Sequence, residues 1–190
     1  MKKRDLLAPF IAIAILITTW ETAVRYFALA PQVLPAPSLI LQTLIADAPL
    51  LFGSLLVTLR ITFAALFIAT ATGVLLAILF SASRFAERAL FPIAVIFQVT
   101  PIIAIAPLLL IYLEPANAVL ACAALVAFFP ILSNTALGFA SADRQLRDLF
   151  SLYDAGPLKT LLYLRFPTAL PYFLGGLRIA GGLALIGAIV

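Results

Sequence analysis

The sequence predicts an all-α membrane protein, a polytopic helical bundle forming a single domain over residues 1–190. Three observations carry that prediction. Of the 190 residues, 65% are hydrophobic and 11% charged, with a mean hydropathy of +1.20, whereas a soluble domain carries about 45–50% apolar residues. The apolar residues gather into runs close to the ~20 residues that a spanning helix needs. Short breaks rich in proline or charge separate the runs.

The runs give five spans, at approximately 6–28, 55–80, 90–113, 116–140 and 171–190. The first follows Met1-Lys2-Lys3-Arg4, as a secretory signal would. Its apolar character continues past Trp20 to Ala30, and no small-x-small cleavage site precedes a soluble domain, so it reads as a retained helix. Segment 30–53 contains Leu34-Pro35-Ala36-Pro37 and is expected to be extended and then helical, with proline ending the first helix. Pro92, Pro101 and Pro107 deny backbone donors within the third run, so a bent or broken helix is expected there. The last run stops at Val190 without an interfacial anchor, and truncation of the domain at that end is expected.

Charge predicts an orientation. The chain carries 12 Lys and Arg against 8 Asp and Glu, a net charge of +4. Lys2, Lys3 and Arg4 precede the first span, Arg84 and Arg88 follow the second, and Arg144, Arg147, Lys159 and Arg165 lie between the last two. Residues 29–54 and 114–115 contain no Lys or Arg, so the positive-inside rule puts the N-terminus in the cytoplasm. The basic residues therefore mark one side of a membrane, with lipid as the neighbour and no nucleic acid partner. Glu21 and Arg25, four residues apart, are expected to pair along their helix.

Several chemistries lack the residues they need. Histidine is absent and Cys122 is the one cysteine, inside the apolar run 118–129, so the chain cannot assemble a disulfide or a Cys/His metal site. No Gly-x-x-x-x-Gly-Lys-Ser/Thr loop is present to cradle nucleotide phosphates, and no carboxylates cluster as an active site would require. The chain is therefore expected to be a non-enzyme that binds no cofactor. A gradient-driven secondary transporter or channel subunit is an alternative, but the intramembrane acid or His relay it calls for reduces to Glu21. Composition does not exclude a structural scaffold. The candidate pathway residues are Gln98, Thr100, Asn134 and Arg60. Thr100 has a bland alternative in bonding its own helix carbonyls. Arg60 either snorkels to the outer interface from near the end of its helix or attracts an anionic solute in the pathway.

The longest charged stretch, 141–166, lies on the cytoplasmic side by the charge rule. Leu146, Leu149, Phe150 and Tyr153 fall at i, i+3, i+4 and i+7, one stripe of a helix, while Arg144, Arg147, Asp148 and Ser151 face elsewhere. Asp154-Ala155-Gly156-Pro157 breaks that helix, and Pro157 opens a second one carrying Leu158, Leu161 and Leu162. The stripe fits two roles: a face lying on lipid headgroups or against the spans, and a knob inserted into the groove of a soluble partner.

The run from Asp148-Leu149-Phe150 through Asp154-Ala155-Gly156 to Phe166-Pro167-Thr168-Ala169-Leu170-Pro171 resembles the EAA loop of ABC-importer permeases. Leu34-Pro35-Ala36-Pro37, Thr58-Leu59-Arg60, Pro92, Pro101-Ile102-Ile103-Ala104 with Pro107-Leu108, Phe129-Pro130, Asn134-Thr135 with Gly138, and Gly176-Leu177-Arg178 resemble the nitrate/sulfonate/taurine-type branch in the same order. The family's Glu-Ala-Ala aligns with Asp148-Leu149-Phe150 and its loop glycine with Asp154, so Gly156 is expected to supply the flexible backbone instead.

The resemblance implies a MetI-like, type I importer transmembrane domain in a bacterial inner membrane, whose members continue beyond the equivalent of Val190 by at least one helix. It implies an ATPase-coupling loop made of Leu146, Asp148, Leu149, Phe150, Tyr153, Asp154, Ala155, Gly156, Pro167 and Pro171. It also implies a second permease copy, an ABC ATPase subunit that uses the ATP, and a periplasmic or lipid-anchored solute-binding protein. Sulfonates, taurine, nitrate and pyrimidine-type vitamin precursors are all within the implied range of solutes.

Overall fold

The structure, a computed structural model, describes residues 3–189, and all regular elements among them are helical. Lys2 and Val190 lie outside the described residues. The chain divides into two compact units, Met1–Leu55 and Leu56–Val190. Four helical runs among the described residues are long and apolar enough to cross a membrane: Leu7–Tyr26, Ala48–Ala82, Pro115–Ala140 and Pro157–Ile189.

The first unit holds α1 (Lys3–Tyr26), α2 (Pro37–Ala46) and the opening turns of α3 (Ala48–Ala82). Contrary to expectation, proline does not end α1. Ala28 takes a left-handed backbone, φ 47°, the Leu29 N–H donates to the Val24 carbonyl at 3.1 Å, and the Ala28 N–H donates to the Arg25 carbonyl at 3.3 Å. That is the paired closure of a Schellman turn, which spends the last carbonyls of a helix. Pro37 instead opens α2, where its missing N–H costs nothing. The N-cap Ala36 offers no side-chain bond. Glu21 supplies the acceptor from α1: its carboxylate accepts from the Ser38 N–H at 3.0 Å and from the Ser38 hydroxyl at 2.8 Å. Arg25 Nε donates to the same carboxylate at 2.6 Å, so the expected pair along α1 also satisfies an orphan donor of α2.

Helix α3 is 35 residues long, about 52 Å at 1.5 Å per residue, and starts seven residues before the apolar run read as 55–80. Its buried positions Thr62, Ala65, Ala69, Gly73, Ala77 and Phe80 recur every three or four residues and form one face. Ser83 ends it and caps α4 (Arg84–Val99), its hydroxyl accepting from the Ala86 N–H at 3.2 Å. The third apolar run is broken, as expected: α4 and α5 (Ile102–Tyr112) meet at an angle of 98°. The break sits at Thr100-Pro101, while Pro92 and Pro107 are carried inside the helices.

In the second unit α6 (Pro115–Ala140) packs along α9 (Phe166–Ile189), the most extensive pairing in the fold. Small residues make the approach possible. A Cβ on Gly138 would lie 2.7 Å from the Cα of Ala169, one on Gly176 2.8 Å from the Pro130 carbonyl oxygen, and one on Gly187 2.7 Å from the Cα of Ala123. Among lipid tails no hydrophobic gain drives helices together, and close backbone packing takes its place. Phe80, Leu132, Phe139 and Ala169 form one buried cluster, and Ala69, Ala127, Ile131, Ala180 and Ala184 form another.

Candidate functional site

Between α6 and α9 the chain forms the polar excursion that the sequence singles out. Helix α7 (Arg144–Leu152) begins at Asp143, whose carboxylate accepts from the Gln145 N–H at 2.7 Å. Aspartate is among the best residues for that position. Leu146 is 46% exposed, Leu149 44% and Tyr153 80%, so three members of the expected stripe face outward. Phe150 is only half-exposed, and Leu152, absent from the stripe, is 82% exposed. The apolar face is therefore rotated toward Leu152 and away from Phe150. Asp148 is exposed on the same helix.

The turn that closes α7 departs from the sequence reading. Asp154, not Gly156, holds the left-handed conformation, φ 45°. The Ala155 N–H donates to the Phe150 carbonyl at 2.9 Å and the Asp154 N–H to the Ser151 carbonyl at 3.1 Å, again a Schellman closure. Gly156 has φ −60° and ψ 162°, an extended conformation open to any residue, and leads into α8 (Pro157–Thr160). The correction has a local cause: the helix needs its left-handed residue two positions after Leu152, where Asp154 stands, and Asp tolerates that region better than most side chains. Asp154→Val is expected to cost the turn about 1–2 kcal/mol, while Asp154→Gly removes the strain and reverses the sign. Hydrogen-exchange protection of the Ala155 amide measures both.

Helix α8 runs through a π segment, Leu161–Arg165, into α9. There the Phe166 N–H reaches back five residues to the Leu161 carbonyl. Pro167 follows at once and carries no N–H, so the ordinary i to i−4 ladder cannot continue through it. The helical run thus extends from Pro157 to Ile189, starting well before the span expected at 171–190, with Pro167 and Pro171 inside it. At its start Arg165 Nη1 donates to the Ser81 carbonyl at 2.6 Å and also to the Ser81 hydroxyl. Ser81, Thr160, Leu161 and Arg165 line a cavity of about 480 Å³.

The pathway candidates do not form one group. Gln98 and Thr100 share a cavity of about 360 Å³ at the α4–α5 break, walled by Ile105, Val126, Phe129 and Leu183. Thr100 is already spent, its hydroxyl donating to the Ile96 carbonyl at 2.7 Å. Asn134 faces a different cavity, with Glu87, Phe91 and Ser133, and its amide donates to the Pro130 carbonyl at 2.8 Å. Arg60 is exposed on α3, thirteenth residue of the helix and not near its end, because α3 begins at Ala48.

Residues 69–190, which hold α6, the loop and α9, match the family described as binding-protein-dependent transport system inner membrane component. The chain belongs to that family. Over 189 residues it is 33% identical to a probable ABC transporter permease protein of Haemophilus influenzae, covering 99% of this chain and 77% of that one. It is 36% identical over 188 residues to the formylaminopyrimidine transport permease protein ThiX of Halalkalibacterium halodurans, covering 97% and 74%. A putative aliphatic sulfonates transport permease protein, SsuC of Bacillus subtilis, is 28% identical over 93% of this chain and 65% of its own length. The protein is thus a multi-pass ABC permease subunit of binding-protein-dependent import, and membership implies an ATPase and a binding protein as partners.

Proposed function

We propose that this permease moves a small solute into the cytoplasm by alternating access, driven by an ATPase that docks on loop 141–166. The observation that carries the reading is α7: a nine-residue amphipathic helix with Leu146, Leu149, Leu152 and Tyr153 exposed, held at one end by the Asp143 cap and at the other by the Asp154 turn. Such a face suits insertion into the groove of a partner. The permease itself binds no cofactor, and ATP is used by the ATPase. A second copy of the chain completes the translocation unit, lipid surrounds it, and a periplasmic or lipid-anchored binding protein delivers the solute. The loop and the N-terminus face the cytoplasm of a bacterial cell.

Gln98, on the wall of the cavity at the α4–α5 break, is the strongest of the pathway residues, since irregular backbone at membrane depth occurs where it is buried in protein or lines a water-filled cavity, and a cavity is present here. Two solute classes have support. Identity of 36% to the formylaminopyrimidine permease favours a pyrimidine-type solute, and the exposed guanidinium of Arg60 favours an anion. Sidedness tests the whole reading: Arg147→Cys and Lys159→Cys in whole cells are expected to react with a membrane-permeant maleimide and to resist an impermeant one. Labelling by the impermeant reagent overturns it. Uptake of labelled formylaminopyrimidine and of an alkyl sulfonate by the reconstituted complex separates the two solute classes.

A further inference from the structure

We infer that Arg165 is a positioning residue that ties the coupling loop to the end of α3, so that displacement of the loop by the motor reaches α3 and α9 together. The inference rests on the reading of loop 141–166 as the motor-docking element. Helix α3 stops at Ala82, and the carbonyls of a last helical turn have no partner within the helix. Ser83 breaks the ladder before α4, which leaves the Ser81 carbonyl to be met from outside. Arg165, 84 residues away in sequence, meets it at 2.6 Å and takes the hydroxyl of the same residue as well. The bond is charge-assisted, and it puts a cation at a helix C-terminus, where the aligned peptide dipoles are negative.

The π segment sets the direction of that arm. A π turn inserts one extra residue and rotates everything after it relative to an α-helix, and such turns recur at functional sites. Arg165 is the last residue of the segment. Pro167 removes a backbone bond of the helix just beyond it, so the junction of α8 with α9 is the softest point between the loop and the span. A push on α7 would be absorbed there if α9 were the sole connection. The guanidinium bridges the weak point to a second helix. Both ends of the bridge are half-buried, which shields the contact from the screening that weakens exposed pairs.

The test uses the permease purified with its ATPase, in a Cys122→Ala background, with spin labels on Ala82→Cys and Lys159→Cys. In otherwise wild-type protein, one distance is expected both without nucleotide and after trapping with MgATP and vanadate, because the end of α3 and the loop move as one body. In Arg165→Gln the complex is expected to co-purify and to hydrolyse ATP near the wild-type rate, while the distance shifts on trapping. Arg165→Lys, which still reaches the carbonyl as a cation, is expected to restore the fixed distance. A distance that changes in wild type, one that stays fixed in Arg165→Gln, or loss of the ATPase from Arg165→Gln each overturns the inference. Leu149→Asp separates the two ideas: if it keeps the ATPase bound, the docking reading fails, whatever the spin labels report about the tie.

Discussion

Leu149→Asp is expected to strip the ATPase from the permease while leaving the permease folded. Leu149 is 44% exposed, so its substitution opens no cavity within the chain. In a complex the same side chain lies at the centre of the α7 face, between Leu146, Leu152 and Tyr153, and a carboxylate there would be taken out of water without a partner. Central interface residues typically carry about 2–4 kcal/mol, or roughly a 30- to 1,000-fold loss of affinity. Titration of the ATPase onto the permease in nanodiscs, with circular dichroism as the control for folding, gives that number. Leu149→Lys distinguishes the two roles that the stripe allows. A lysine lying on lipid headgroups extends its ammonium to water at little cost, whereas in an apolar protein groove it is as disruptive as aspartate. Equal losses for Asp and Lys identify docking, and a silent Lys identifies a lipid bed. Phe150 is a poorer probe, because it is half-buried in the permease and its replacement mixes folding with docking.

The membrane helices were legible because the signal for them is thermodynamic and long-range: some twenty apolar residues in a row have one comfortable environment. The amphipathic period of Leu146, Leu149 and Tyr153 was legible for the same kind of reason, since it repeats. What escaped was decided by single backbone groups. Tyr26 ends α1 because Ala28 adopts a left-handed turn, not because of Pro31 or Pro35 downstream, and nothing in an alanine advertises that conformation. At Asp154 a signal does exist, since the loop glycine of the resembling family aligns with it, whereas residue type alone points to Gly156. The Asp143 cap could have been found by the ordinary preference for Asp before an amphipathic run.

The cavity at the α4–α5 break shows a further limit. Pro101 foretold a break, but no residue type in the sequence encodes its 98° angle or the cavity that Gln98 and Thr100 share with Phe129 and Leu183. Asn134 and Arg60 are polar residues in apolar runs of the sequence, yet membrane helices satisfy such groups in several ways. Asn134 donates its side-chain amide to the Pro130 carbonyl one turn back on its own helix. The Arg165–Ser81 contact had no sequence signature, because it joins residues 84 apart through a carbonyl common to every residue type.

Gly176→Leu is expected to separate α6 from α9 and to cost the fold more than any surface change in the loop. The close approach of the two helices leaves no room even for a first carbon: a Cβ at Gly176 would sit 2.8 Å from the Pro130 oxygen and 2.9 Å from the Asn134 Cβ. One of those atoms is backbone, so a rotamer change cannot relieve the clash and a whole helix must move. Overpacking of this kind costs typically about 1–3 kcal/mol, and here the displaced helix also pulls Gly138 from Ala169 and Gly187 from Ala123. Asn134, whose amide bonds the same Pro130 oxygen, loses its position in the same step. Gly175 is the matched control, one residue away on the same helix with nothing within 4 Å of its added Cβ. The thermal midpoint of the detergent-solubilised chain is expected to fall for Gly176→Leu and to stay near wild type for Gly175→Leu. Equal behaviour of the two variants would mean that small residues do not set the distance between α6 and α9, and with it the frame on which α7 is carried.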